Sequence, residues 1–174
     1  MRLLFGLMIG AFIASPAAAD EIENARTVQI AVDGTISQRC AMGNVPNIDF
    51  GELNRGGQTM RARVALDCNV PFTMKISGST GALTHTSMPL GQGPYSGALP
   101  YALGIAMAVR HPSLETVNRV FDSRSLRGGG SFSSNGGIAT DGMTLSIELG
   151  TPSGEAGLLA GHYAETITIT VSPM

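Results

Sequence analysis

A chain of 174 residues with 11 basic and 13 acidic side chains carries a net charge of −2, and only 14% of it is charged. That balance offers no basic patch of the kind nucleic-acid binding requires. Twenty-three glycines, nine prolines and no tryptophan describe a turn-rich β-protein with a neutral, Ser/Thr/Gly-dominated surface.

The chain opens Met1-Arg2-Leu3-Leu4-Phe5, stays apolar through Ile13 and reaches Ser15-Pro16-Ala17-Ala18-Ala19-Asp20. A basic start, an apolar centre and an Ala-x-Ala end predict a secretory signal over 1–19, cleaved after Ala19. The apolar run falls short of the roughly 20 residues that a membrane span needs, and no later segment is long and apolar enough. Taking 19 from 174 residues leaves an exported chain of 155, a length suited to one domain. Loss of Arg2 lowers the 11 basic residues to 10 against 13 acidic ones, a net charge of −3. The expected organisation is a signal (1–19), an N-terminal extension (20–36) and a domain (37–174).

Within the extension, Thr27 to Ile36 reads Thr-Val-Gln-Ile-Ala-Val-Asp-Gly-Thr-Ile. Val28, Ile30 and Val32 alternate with Gln29, Ala31 and Asp33, so an extended chain has one apolar face. Such a strand either pairs within its own domain or belongs in a neighbouring molecule. Cys40 and Cys68 follow, two cysteines in a chain bound for an oxidising compartment, and a disulfide between them is the plain inference. It closes a loop of 27 intervening residues, and chain entropy puts its contribution at roughly 3–4 kcal/mol. No histidine lies near either cysteine, so metal-ligand spacing is absent.

Ala41 to Asn47 reads as a turn, and Ile48-Asp49-Phe50 then places two apolar residues on one side before Asn54-Arg55-Gly56-Gly57 turns the chain again. Met60, Ala62, Val64, Leu66 and Cys68 share a face; inward Cys68 suits a disulfide that staples two layers. Phe72, Met74 and Ile76 point inward on the next strand. Gly78 to Gly97 carries weak signals and reads as a long loop or hairpin. Leu99 to Val109 is apolar with little alternation, either a strand buried on both sides or a short helix; Gly104, Pro100 and Pro112 favour the strand. Val117 to Phe121 reads as a short strand and Arg127 to Gly137 as a Gly/Ser connector. Met143, Leu145, Ile147 and Leu149 alternate strongly. The final run places Tyr163, Glu165, Ile167, Ile169 and Val171 on one register, with threonines facing away. About seven short strands, turns at this spacing and one disulfide predict a β-sandwich without a long helix.

His85, His111 and His162 are scattered in loops or strand edges and read as solvated. Nucleophile-elbow, zinc-protease and P-loop patterns are absent. No catalytic, cofactor-binding or metal-ligating residue is expected, and the chain is not expected to be an enzyme. Glu165, inward near a strand start, reads as a corner residue that hydrogen-bonds a turn backbone.

Taken together, the strand ending in Cys40, Ile48-Asp49-Phe50-Gly51, Leu66-Asp67-Cys68-Asn69 before Pro71-Phe72-Thr73, Tyr101-Ala102-Leu103 and the ending Ala160-Gly161-His162-Tyr163-Ala164-Glu165-Thr166 resemble the spore coat protein U domain family. That family includes subunits of archaic, Csu-type chaperone–usher pili. The likeness spans about residues 27–171, with Glu165 where the family usually carries Asp. It implies an incomplete immunoglobulin-like sandwich lacking its last strand, completed by a donor strand from another subunit. Val28, Ile30, Val32 and Ile36 are then the donor side chains, and Tyr163, Ile167, Ile169 and Val171 the edge of the acceptor groove. The implied partners are neighbouring copies or related pilins, a periplasmic chaperone and an outer-membrane usher. The implied destination is a fibre at the cell surface, serving adhesion or biofilm formation. The competing expectations are a monomeric secreted or coat-layer protein whose N-terminal strand folds back, and a ligand-binding sandwich that uses loops 78–97 and 127–137.

Overall fold

The computed structural model describes residues 27–53 and 57–174. The predicted signal, residues 20–26 of the extension and part of the turn at 54–57 lie outside the described residues. The chain divides into two units, Met1–Thr35 and Ile36–Met174. In the first, residues 27–35 form neither helix nor strand, and Val28, Ile30 and Val32 are 78%, 79% and 89% exposed. The alternating pattern at Thr27 to Ile36 therefore finds no ladder partner among the described residues.

Among its described residues the second unit contains twelve strands and one turn of helix. In chain order these are β1 Cys40–Met42, β2 Thr59–Val64, β3 Leu66–Cys68, β4 Phe72–Gly78, β5 Leu83–His85 and β6 Ala98–Leu99. There follow β7 Tyr101–His111, β8 Ser113–Asp122, α1 Ser123–Leu126, β9 Gly130–Ser133, β10 Met143–Leu149, β11 Tyr163–Ala164 and β12 Ile167–Pro173. All ladders between these strands are antiparallel. A four-stranded sheet has the order β2-β10-β7-β8 and a three-stranded one the order β12-β4-β9; β11-β5-β6 and β1-β3 form two smaller sheets. The protein is an all-β sandwich.

The core follows from the period-two pattern. Along β4, Phe72, Met74 and Ile76 are buried while Lys75 and Ser77 are exposed. Across from them Leu103, Ile105, Met107 and Val109 of β7 and Met143 and Leu145 of β10 join the same cluster. The ambiguous Leu99–Val109 run is strand, as its Gly and Pro residues favour. Pro100 separates β6 from β7, and β7 alternates buried with half-buried residues over its first nine positions.

Several boundaries depart from expectation. The single strand expected over Met60–Cys68 breaks at Ala65: β2 stays in the large sheet, while β3 turns away to pair with β1. The shared face survives, with Ala62, Val64, Leu66 and Cys68 buried and Met60 40% exposed. Cys40 and Cys68 are disulfide-bonded as inferred, but they are direct ladder partners with Cα atoms 4.0 Å apart. The bond staples two adjacent strands rather than two layers. The final run also divides, at Glu165-Thr166, into β11 and β12 in different sheets. Part of the expected Gly/Ser connector is strand β9, which brings Phe132 into the core. Its glycine is required by packing: a Cβ on Gly130 would stand 2.7 Å from the Phe121 ring.

His85 is the clearest correction. Expected in solvent, it is 8% exposed within β5, and its ring meets Tyr163 edge-on at 5.2 Å. Nδ1 accepts hydrogen bonds from the backbone amides of Ser87 and Met88 at 3.1 and 3.0 Å, and Nε2 lies 3.2 Å from the Ala160 carbonyl oxygen. Two accepted bonds make Nδ1 the unprotonated nitrogen, leaving Nε2 to donate. This histidine ties the 86–97 loop to the start of β11.

Candidate functional site

Alternation along β10 identifies its core face, yet that face is not uniformly covered. Leu145 and Leu149 are 3% and 2% exposed, whereas Ile147 between them is only half-buried. Met60, paired with Ile147 on neighbouring β2, is 40% exposed. Over Ile147 lies a groove of ≈ 620 Å³. Leu145, Ile147 and Leu149 with Tyr101 and Leu103 of β7 form one wall; Ile167 and Ile169 of β12 form the other. Both walls are mainly aliphatic because β7, β10 and β12 present their inward residues here.

The β12 wall has a second property. In its sheet β12 pairs only with β4, from Ile167↔Gly78 to Pro173↔Phe72. Its opposite edge carries no backbone ladder among the described residues. Residues 43–53 pass beside the groove, and Ile48 and Phe50 line it from half-buried positions while Asp49 is exposed. Those two residues face one way as the sequence suggested. They do so without strand pairing; within 44–53, Gly51 donates its amide to Asp49 Oδ1 and the Glu52 carbonyl accepts from Gln58 Nε2.

One end of the groove is polar. The Glu165 carboxylate accepts from the backbone amide of Thr80 at 3.2 Å and from the hydroxyls of Ser79 and Thr80. This is the corner role expected of Glu165. Beside it stands the phenol of Tyr101, 4% exposed and without a hydrogen-bond partner among the described residues. The two groups converge over Gly78, where a Cβ would come within 2.9 Å of Glu165 Oε1 and 3.2 Å of Tyr101 Oη. Burial, and secondarily the negative charge of Glu165, push the Tyr101 phenol well above its ordinary pKa.

Of the four residues expected at the groove edge, the structure brings Ile167 and Ile169 to it. Val171 lies further along β12, outside the lining. Tyr163 is elsewhere: in β11 its hydroxyl donates to the Ser96 and Leu159 carbonyls, at 3.0 and 2.7 Å. Burial raises its pKa. The opposing wall was not singled out from sequence. The β10 and β7 alternation marks those residues as inward, but whether an inward residue is covered depends on the facing sheet. Among the described residues, no group of three or more His, Cys, Asp or Glu side chains could hold a metal ion. The arrangement is suited to recognition: an apolar channel, an unsatisfied strand edge beside it and one polar terminus. No protein-family model matches the chain, and no curated protein matches it.

Proposed function

We propose that this chain is a subunit of a secreted surface fibre, assembled when an extended segment of one copy fills the groove of the next. The observation that carries this reading is the aliphatic groove along the open edge of β12. An added strand would take up the free backbone groups of that edge while its alternate side chains filled the channel. The chain carries a segment of matching chemistry in Thr27 to Ile36, whose Val28, Ile30, Val32 and Ile36 are 78–89% exposed. Val28 to Val32 spans five residues, as does the stretch Glu165–Ile169 of the groove wall, each about 13 Å long when extended.

The resemblance to the spore coat protein U family supports the same assignment. On this reading, the incomplete immunoglobulin-like domain is completed in trans, and the N-terminal signal directs export. A periplasmic chaperone fills the groove until an outer-membrane usher exchanges its strand for that of the next subunit. Because donor and acceptor are different surfaces of one polypeptide, the contact is heterologous and propagates as a fibre. Adhesion or biofilm formation is the corresponding role.

Burying each aliphatic donor side chain contributes about 1.5–3 kcal/mol, and a carboxylate in the same channel is strongly unfavourable. Ile30→Asp, or deletion of Glu21–Asp33, is therefore expected to abolish the heat-dissociable ladders that such assembly predicts on denaturing gels. Long fibres at normal yield from either variant would overturn the donor assignment. A stable monomer of the unaltered chain, made without a chaperone, would replace the fibre reading with that of a self-contained secreted protein.

A further inference from the structure

The other main sheet carries a second open edge. Strand β8 ends the four-stranded sheet, pairing with β7 through ten consecutive residues from Ser113 to Asp122. The unbroken register leaves no bulge, and the strand contains no proline; its charges, Glu115, Arg119 and Asp122, are of both signs. Val117 and Phe121 apart, its residues are exposed, including Leu114 at 58% and Val120 at 75%. An exposed edge of this length is a template for another strand.

Its sequence indicates which strand. From Leu114 to Val120 the chain reads Leu-Glu-Thr-Val-Asn-Arg-Val. If a second copy of β8 lies antiparallel with Val117 on the two-fold axis, each residue meets the one equally far on the other side of Val117. Leu114 then faces Val120, Glu115 faces Arg119, Thr116 faces Asn118, and Val117 faces itself. The faces agree as well. Val117 lies opposite buried Met107 on the inner face, with Glu115 and Arg119, while Leu114, Thr116, Asn118 and Val120 share the outer face. From Leu114 to Val120 each cross-strand pair is thus apolar with apolar, cation with anion or polar with polar, while beyond them Ser113 faces Phe121. Neither Glu115 nor Arg119 forms an ion pair among the described residues, where the pairs are Arg39–Asp67 and Arg110–Asp141. Arg119 stands 5.8 Å from the centre of the Phe132 ring, which holds its charge beside the edge.

We infer that β8 is a self-recognition edge: two copies of this chain join through it about a two-fold axis, forming one continuous eight-stranded sheet. The contact is isologous and closes on itself. It uses neither the groove nor Thr27–Ile36, so it stands whether or not the fibre reading does.

A cysteine replacing Val117 tests the register directly. Across an antiparallel pair, residues facing each other have Cα atoms roughly 4.5–5.5 Å apart, within disulfide reach. Cysteines replacing Leu114 in the two copies would lie about 20 Å apart along the strand and could not join. After mild oxidation of the full chain, Val117→Cys is expected to give a covalent dimer on a heated, non-reducing denaturing gel. Leu114→Cys should give almost none. Heating removes non-covalent polymer, so groove-mediated assembly does not enter the reading. In the Val117→Cys background, Arg119→Glu places glutamates opposite each other twice and should lower the dimer yield roughly tenfold. Adding Glu115→Arg restores the complementary pairs and should restore the yield. Equal cross-linking at 114 and 117, or failure of the double exchange to rescue, would overturn the proposal. Sedimentation of the Arg119→Glu chain and the double exchange, both without the introduced cysteine, provides a second measurement: loss and recovery of self-association support the inference, and unchanged mass overturns it.

Discussion

At the scale of single residues, the polar end of the groove shows how one side chain can be committed and its neighbour left waiting. Glu165 spends its acceptor capacity on Thr80 and Ser79, pinning the turn that follows β4. Tyr101, anchored through its own amide to Ser123 Oγ at 3.1 Å, has no hydroxyl partner among the described residues. A buried hydroxyl without a hydrogen bond is a cost to the folded chain. Tyr101→Phe is accordingly expected to leave thermal stability unchanged or slightly raised. Alkaline behaviour gives a sharper test. The folded-state pKa lies above the unfolded one, so the unfolded chain releases this proton first. Stability linked to Tyr101 is full below pH about 10, where the unfolded phenol starts to ionise, and is lost as pH rises beyond it. Denaturant titrations from pH 9 to 11 should show a steeper fall for the unaltered chain than for Tyr101→Phe. Parallel curves would refute the role given to that phenol.

At the scale of elements, β4 is the strand on which the smaller main sheet depends. It is flanked by β12 on one side and β9 on the other, and Phe72, Met74 and Ile76 are fully buried. Removing most of such a side chain leaves a cavity that packed neighbours fill only in part. Ile76→Ala should lower the unfolding free energy by about 2–5 kcal/mol, while Lys75→Ala on the opposite face should stay within about 0.5 kcal/mol. Equal effects in urea titrations would contradict the burial pattern. Elements also show where reading a sequence in straight runs fails. Met60–Cys68 and Tyr163–Val171 each carry one unbroken alternation, yet each crosses between sheets, at Ala65 and at Glu165-Thr166. Period two records which way a side chain points and is blind to which neighbour its backbone bonds.

At the scale of the whole molecule, the edges at β12 and β8 have opposite consequences in the proposed assemblies. Filling the groove beside β12 with a segment from another copy joins unlike surfaces and continues without limit. Pairing β8 with β8 joins like surfaces and stops at two, so in the proposed fibre it would tie neighbouring polymers side by side. Donor and acceptor can be separated by mixing. Ile30→Asp retains an intact groove, and Ile169→Asp, with a charge in the groove wall, retains an intact donor segment. Neither alone should polymerise, and an equal mixture should give head-to-tail dimers without longer ladders. Long ladders from the mixture would show that assembly uses some other surface.

Much of this architecture was legible before any coordinates. Phe72, Met74 and Ile76 in the core, the Cys40–Cys68 bond, strand character at Met143–Leu149 and the corner role of Glu165 all follow from alternation, cysteine count and local turn chemistry. These are properties of neighbouring residues, and a sequence records neighbours directly. His85 is buried because, beyond its local bonds from Ser87 and Met88, its ring meets Ala160 and Tyr163 from a stretch 75 or more residues away. Strand β9 was missed because Gly130 is glycine for the sake of Phe121, a contact across the fold. Alternation along the chain is enough to say which side chains turn inward. Packing between sheets sets which inward side chains remain uncovered, as at Ile147, and which strands lie at an edge, as β8 and β12 do. Coverage and edge position are relations between sheets, set by how the whole chain packs.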